Sequence, residues 1–153
     1  MEFIISKSNI DPSVNFIADM PVGKLEARYV RRDEDYFITY LSSQTGCAQQ
    51  CAMCHLTATN QRKFQDTTID EFVAQATEVF DYYDTQPAAN LVHFNYMARG
   101  EPLANNVFLE SHVEILTKLN AIAASRDLAS RHIVSTILPA EIFNTKTLND
   151  IYL

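Results

Sequence analysis

Three cysteines fall within eight positions, Cys47, Cys51 and Cys54, spaced C-x3-C-x2-C. Deprotonated thiols are soft ligands, and three on one short loop can grip one side of a compact iron–sulfur cluster. An all-cysteine cluster takes four protein ligands. A set of three leaves one iron open to an outside molecule, the same logic that separates catalytic from structural zinc. Gly46, just ahead of the first thiol, lets the backbone turn sharply into the loop. A structural zinc site with His55 as fourth ligand is the plainer alternative. Neighbouring side chains such as Cys54 and His55 converge poorly on one tetrahedral ion, however, and zinc ligands come as two separated pairs. Inert core cysteines are a further alternative. An odd count confined to one loop argues against a secreted disulfide framework and for an intracellular metal or redox site.

A second group agrees with the first. Gly100-Glu101-Pro102-Leu103 and Val134-Ser135-Thr136 each follow or occupy an apolar, strand-like run. The thiol spacing resembles the signature of the radical S-adenosylmethionine (SAM) superfamily. That resemblance implies a [4Fe–4S] cluster held by Cys47, Cys51 and Cys54. It implies that SAM binds the fourth iron through its amino and carboxylate groups, and that one electron cleaves it to methionine and a 5′-deoxyadenosyl radical. It also implies an electron donor such as flavodoxin or ferredoxin. Gly100 and Glu101 are similar to the family's site for the SAM amino group, and an ionised acceptor suits an ammonium donor. Ser135 resembles a SAM-contacting position, and Met53 stands where the family commonly has an aromatic residue against adenine. Together with Leu41-Ser42-Ser43-Gln44-Thr45-Gly46-Cys47, these stretches look most like the adenine-C2 methyltransferases of ribosomal and transfer RNA, over residues 36 to 140. RNA is therefore the implied substrate. Two positions of that branch differ: Tyr40 stands where it has a cysteine that helps release the methylated intermediate, and no Cys follows Cys54 to carry the methyl group.

The elements that must position these groups follow from periodicity. Lys24 to Arg32 and Tyr36 to Ser42 read as strands around the polar tip Asp33-Glu34-Asp35. Residues 1 to 23 are weakly patterned and close on the turn signal Met20-Pro21-Val22-Gly23. Ile69, Phe72, Val73, Ala76, Val79, Phe80 and Tyr83 recur at steps of three and four and predict a helix, opened by Thr68 and Glu71 as a capping box. Leu91 to Met97 is the next strand, Phe108 to Ala124 a second helix, and Arg131 to Leu138 a third strand. A short helix over Ala140 to Asn144 and a strand starting at Asp150 complete the order. This alternation predicts an α/β fold: a partial (β/α) barrel of radical SAM type over residues 36–153, preceded by a hairpin-like segment with a leading strand over 1–35. The loops after Ser42, Met97 and Val134 all fall at the carboxyl ends of the strands, where such folds collect ligands. His93 and Tyr96 read as core residues, and His112 and His132 carry no pattern.

Composition bounds the rest. The chain has 153 residues, 47% hydrophobic, with 12 Lys and Arg against 19 Asp and Glu. That is one domain's worth of core. No apolar run approaches a membrane span, and no basic, apolar leader opens the chain, so a cytoplasmic protein is expected. Six acids and no base lie between Asp66 and Asp84, a pattern of solvated helix faces that does not attract phosphate backbones. The expected activity is a radical SAM enzyme, with RNA adenine methylation as one outcome. Hydrogen abstraction from a small molecule or peptide and a non-catalytic zinc or iron–sulfur module are the alternatives. Since a closed barrel takes about 200 residues or more, the chain is expected to be a fragment of a longer protein, or half of a site completed by a partner chain.

Overall fold

The computed structural model describes residues 1–140 and Asp150. Its elements are β1 (Ile4–Lys7), β2 (Val14–Asp19), β3 (Lys24–Val30), β4 (Tyr36–Tyr40), α1 (His55–Ala58), α2 (Ile69–Tyr83), β5 (Leu91–Asn95), α3 (Asn106–Ala124) and β6 (Ala129–Ile133), with a 3-10 turn at Pro102–Ala104. The six strands of the described residues form one sheet in the order β1-β2-β3-β4-β5-β6. β1 to β4 run antiparallel to one another, and β5 and β6 then add parallel to β4. The fold is a mixed α/β sheet.

Alternation explains the core. Phe16, Ala27, Tyr29, Phe37, Val92 and Phe94 come from one sheet face and meet the apolar stripes of α2 and α3. Phe37 packs edge-on against Phe80 and stacks on Tyr83, with ring centroids 5.5 and 4.4 Å apart. Alternate residues of β3 and β4 point the other way. There Glu26, Arg28 and Tyr40 line a polar cavity of about 310 Å³ together with Met97 and Ala98.

Helix α2 starts where its sequence says it should. Thr68 Oγ1 accepts from the Glu71 N–H at 3.3 Å, and a Glu71 carboxylate oxygen accepts from the Thr68 N–H at 2.8 Å. Of the acidic run, Asp70, Asp81 and Asp84 are exposed, and Asp84 holds the Arg126 guanidinium with two bonds of 2.8 Å. Asp66 is different: its carboxylate accepts from Gln44 Nε2 at 2.9 Å and from the Asn106 N–H at 3.0 Å, tying the thiol loop to the head of α3.

Several boundaries correct the reading from sequence. The first 23 residues, weakly patterned in sequence, contribute the antiparallel pair β1 and β2. Strand β6 spans Ala129–Ile133 rather than Arg131 to Leu138. Its sequel, Val134 to Ile137, leaves the ladder to meet Glu101. Helix α3 begins two residues early because the Asn105 side chain accepts from the Phe108 N–H at 2.9 Å and caps it. The short helix expected over Ala140 to Asn144 lies, but for its first residue, outside the described residues. So does the strand expected from Asp150, except that Asp150 itself is helical.

Candidate functional site

The thiol loop leaves the carboxyl end of β4 along a run of buried polar residues, Ser42, Ser43, Gln44 and Thr45. Each is buried because its polar atoms are used. The Ser42 hydroxyl donates to the Glu26 carbonyl at 2.6 Å and accepts from the Glu26 N–H at 2.9 Å, extending the link to β3. Gln75, buried on α2, accepts from the Ser42 N–H at 2.8 Å and donates to its carbonyl at 3.1 Å. Asn105 Nδ2 donates to the Ser43 carbonyl at 2.6 Å and the Thr67 carbonyl at 3.1 Å. Gln44 Oε1 accepts from the Glu101 N–H at 3.1 Å. The loops after β4 and β5 are thus one hydrogen-bonded body.

Two glycines are fixed by this packing. A Cβ on Gly46 would sit 2.3 Å from the Lys63 carbonyl oxygen. Close approach of two backbones, not a left-handed turn, is therefore what Gly46 provides. Gly100 is left-handed, with φ +86°, and also abuts Gln44.

The loops enclose a cavity of about 260 Å³ at the carboxyl ends of β4, β5 and β6. Cys47, Cys51 and Cys54 line it together with Gly100, Glu101, Ser135 and Thr136. Six of the seven candidate site residues therefore share one space. The seventh, Met53, is 89% exposed and does not line it.

Glu101 is 5% exposed. Its Oε1 accepts from the Leu103 N–H at 3.1 Å and from the Thr136 hydroxyl, and its Oε2 accepts from the Ile137 N–H at 3.0 Å. A carboxylate offers about four acceptor sites, so room for one further donor remains on the cavity side.

Burial pushes the Cys47 thiol up. A backbone hydrogen bond at Gln49 opposes this, and the negative charges of Cys54, Cys51 and Glu101 add to it. A buried carboxylate and three thiols lining one cavity suit a cationic occupant. Among the described residues, no group of three or more His, Cys, Asp or Glu converges as a site for a metal ion. A single zinc needs such convergence, and His55 is exposed and away from the cavity lining. A four-iron cluster takes one thiolate per iron, so its ligands surround an object rather than a point. Three thiols lining one cavity are compatible with the second arrangement.

Tyr96, read as a core residue, is fully buried and touches the same cavity. It packs against Phe72 and Phe108, and its hydroxyl lies 2.8 Å from His132 Nδ1. His132 Nε2 lies 2.8 Å from Asn120 Oδ1. An amide oxygen only accepts, so Nε2 carries a proton, and in the neutral ring Nδ1 accepts from the Tyr96 hydroxyl. Burial lowers the His132 pKa from the ordinary 6.5 to about 4. A base depressed on folding contributes stability that is complete above pH 6.5 and is lost as pH falls toward 4. With allowance for partial solvent screening, the loss is about 2 kcal/mol at most. Melting curves at pH 7 and pH 5 should show a smaller difference for His132→Asn than for the parent chain. An equal difference would remove His132 from the account of acid sensitivity.

No family model matches the chain. Curated relatives do. The "Dual-specificity RNA methyltransferase RlmN" of Buchnera aphidicola subsp. Acyrthosiphon pisum is 30% identical over 118 residues, covering 76% of this chain and 31% of the relative. The protein of the same name from Aliarcobacter butzleri is 36% identical over 107 residues, covering 69% of this chain and 27% of the relative. The chain thus spans roughly a third of the length of the relatives it matches. With its thiol loop and carboxylate placed over parallel strand ends, it resembles the radical SAM superfamily. Within that superfamily its relatives are the dual-specificity RNA methyltransferases.

Sequence reasoning gave no structural role to Gln44, Gln75, Arg99 and Asn105, which hold the site together. The signal available for the first was the uninterrupted small and polar run 42–45 directly after an apolar strand. Among the described residues, no helix is long and apolar enough to cross a membrane.

Proposed function

We propose that the chain carries the cluster- and SAM-binding part of a radical SAM enzyme that acts on RNA. One observation carries this reading: a single cavity unites Cys47, Cys51 and Cys54 with Glu101 and Ser135 at the ends of three parallel strands. The three thiols would hold a [4Fe–4S] cluster, and Gly100, Glu101 and Ser135 the SAM. When bound, such a cluster supplies the electron for reductive cleavage of SAM. The chain's own residues shape the rest. Glu101 offers a fixed carboxylate to an ammonium group, and Gly100 brings the backbone close. The buried body formed by Gln44, Gln75 and Asn105 keeps the two loops in register.

In this reading residues 36–153 form part of a (β/α) barrel and residues 1–35 an antiparallel arm on its first strand. The substrate would be adenine in RNA, the setting cytoplasmic, and the electron donor a flavodoxin or ferredoxin. A second reading, hydrogen abstraction from a small molecule or peptide, is favoured by Tyr40. The phenol stands where the methyltransferases have a working thiol, and it lines the adjoining polar cavity.

Anaerobic reconstitution with ferrous iron and sulfide should give a brown protein with about four irons per chain. Cys47→Ala, Cys51→Ala and Cys54→Ala should each lose it. With dithionite and SAM, the loaded protein should release methionine and 5′-deoxyadenosine. Stoichiometric zinc in place of iron, or a full cluster in any one variant, would sink the reading.

A further inference from the structure

Arg99 is the most deeply buried of the described basic side chains, at 6% exposure, and sequence patterning gave no hint of it. Burying a guanidinium is costly unless it is closely paired and fully hydrogen-bonded, and this one has only a long ion pair and an unmet donor. Its nearest carboxylate oxygen, Glu26 Oε2, is 3.8 Å from Nη1 and belongs to a side chain one-third exposed. Nη2 donates to Gln61 Oε1, and the buried Nε has no hydrogen-bond partner among the described residues. The position is not incidental. The Arg99 carbonyl accepts from the Ser43 and Gln44 N–H groups at 2.8 and 3.2 Å, which pins the residue beside the thiol loop. Its chain neighbours Ala98 and Gly100 both line the thiol cavity.

We infer that Arg99 is a positioning residue for the proposed cluster, holding the thiol loop through Gln61 and placing a fixed positive charge that makes the cluster easier to reduce. The inference rests on the cluster reading above. The clamp follows from Gln61, whose carbonyl accepts from the Cys47 N–H at 3.1 Å while its own N–H donates to the Leu56 carbonyl at 2.8 Å. Gripping the Gln61 side chain therefore fixes the return of the loop against its first cysteine. The charge follows from burial. Reduction adds one electron, hence one negative charge, to a cluster in a low-dielectric site, and a nearby cation stabilises that product. Electrostatic coupling already reaches the loop: burial lowers the basicity of Arg99, and the charges of Glu26 and Cys54 oppose it. A clamp alone would be served by a neutral amide. A charge with one donor unused calls for an anionic neighbour.

The test uses the full chain, reconstituted anaerobically, with the one-electron couple followed by electron paramagnetic resonance as dithionite is titrated in. Arg99→Met should shift the reduction equilibrium at least tenfold toward the oxidised form, 59 mV for a one-electron couple. Glu26→Gln removes the opposing charge and should shift it the other way. Arg99→Lys should keep most of the parent potential, yet hydrogen exchange over residues 55 to 63 should quicken as the bond to Gln61 is lost. If Arg99→Met does not fold, the direction of the Glu26→Gln shift decides. Unchanged potentials in the variants that hold iron would overturn the inference while leaving the cluster in place. A parent chain that takes up no iron and sulfide would overturn both, and the metal assay tells the two failures apart.

Discussion

Gly100→Ala should lower the melting temperature by roughly 10 °C and empty the site of its order. The added Cβ would lie 2.5 Å from Gln44 Cβ and 2.6 Å from the Gln44 backbone nitrogen, neither of which is the free end of a side chain. The backbone at +86° adds a left-handed penalty of about 1–2 kcal/mol, and overpacking adds about 1–3 kcal/mol. Their sum is about 3 kcal/mol, and a domain of this size loses about 2–4 °C per kcal/mol. The clash falls on Gln44, which links Glu101 to Asp66 and so to the head of α3. Calorimetric melting checks the size of the effect. A variant within 2 °C of the parent would show that the two loops separate freely.

Glu101→Ala is expected to cost about 4 kcal/mol. Three donors lose their acceptor at once: the Leu103 and Ile137 N–H groups and the Thr136 hydroxyl. Bonds to a charged group contribute about 1.5–3 kcal/mol each, and buried donors left unmet cost comparably, although the hydroxyl can turn to another partner. Glu101→Gln retains one acceptor oxygen and turns an NH2 toward a donor, so about 2 kcal/mol is expected, on the same scale. The pair separates two roles. If Glu101 also receives the SAM ammonium, Glu101→Gln should weaken SAM binding roughly ten- to a hundredfold by calorimetry. Thr136→Val, which removes only one of the donors, should match Gln in stability and leave SAM affinity near that of the parent. Equal SAM affinity in the parent and Glu101→Gln would confine Glu101 to holding the strand end.

What the sequence revealed and what it hid divide along a physical line. Helix α2 was readable because its stripe and its cap are local, with Thr68 and Glu71 three residues apart. The three thiols were readable for the same reason, as covalent spacing alone restricts what they can grip. β1 left no mark because all four of its residues are exposed, so no alternation between core and solvent exists to be read. β2 does alternate at Val14, Phe16 and Ala18, but Ile17 on the other face blurs the pattern. The third strand was misplaced because the apolar stretch Val134 to Leu138 outweighed the polar Ala129–Ile133, although pairing with β5 selects the latter. The members of the buried body were hidden for a different reason. Gln75 meets Ser42 across 33 residues and Asn105 meets Ser43 across 62, and no local pattern encodes such a bond.

Among the described residues, strand order in the sheet equals strand order along the chain, and this has a consequence for how the protein assembles. No strand has to be threaded between two already paired, so the sheet can grow from one margin as synthesis proceeds. The three hairpin steps of the arm close short loops and come early, while bringing β5 beside β4 closes a loop of some fifty residues and loses more chain entropy. That slower step is also the one that brings Glu101 to Gln44, so the ribosome delivers the thiols well before the carboxylate that faces them. During that interval three bare cysteines wait on a finished arm, and their protection from oxidation falls to the cell rather than to the fold.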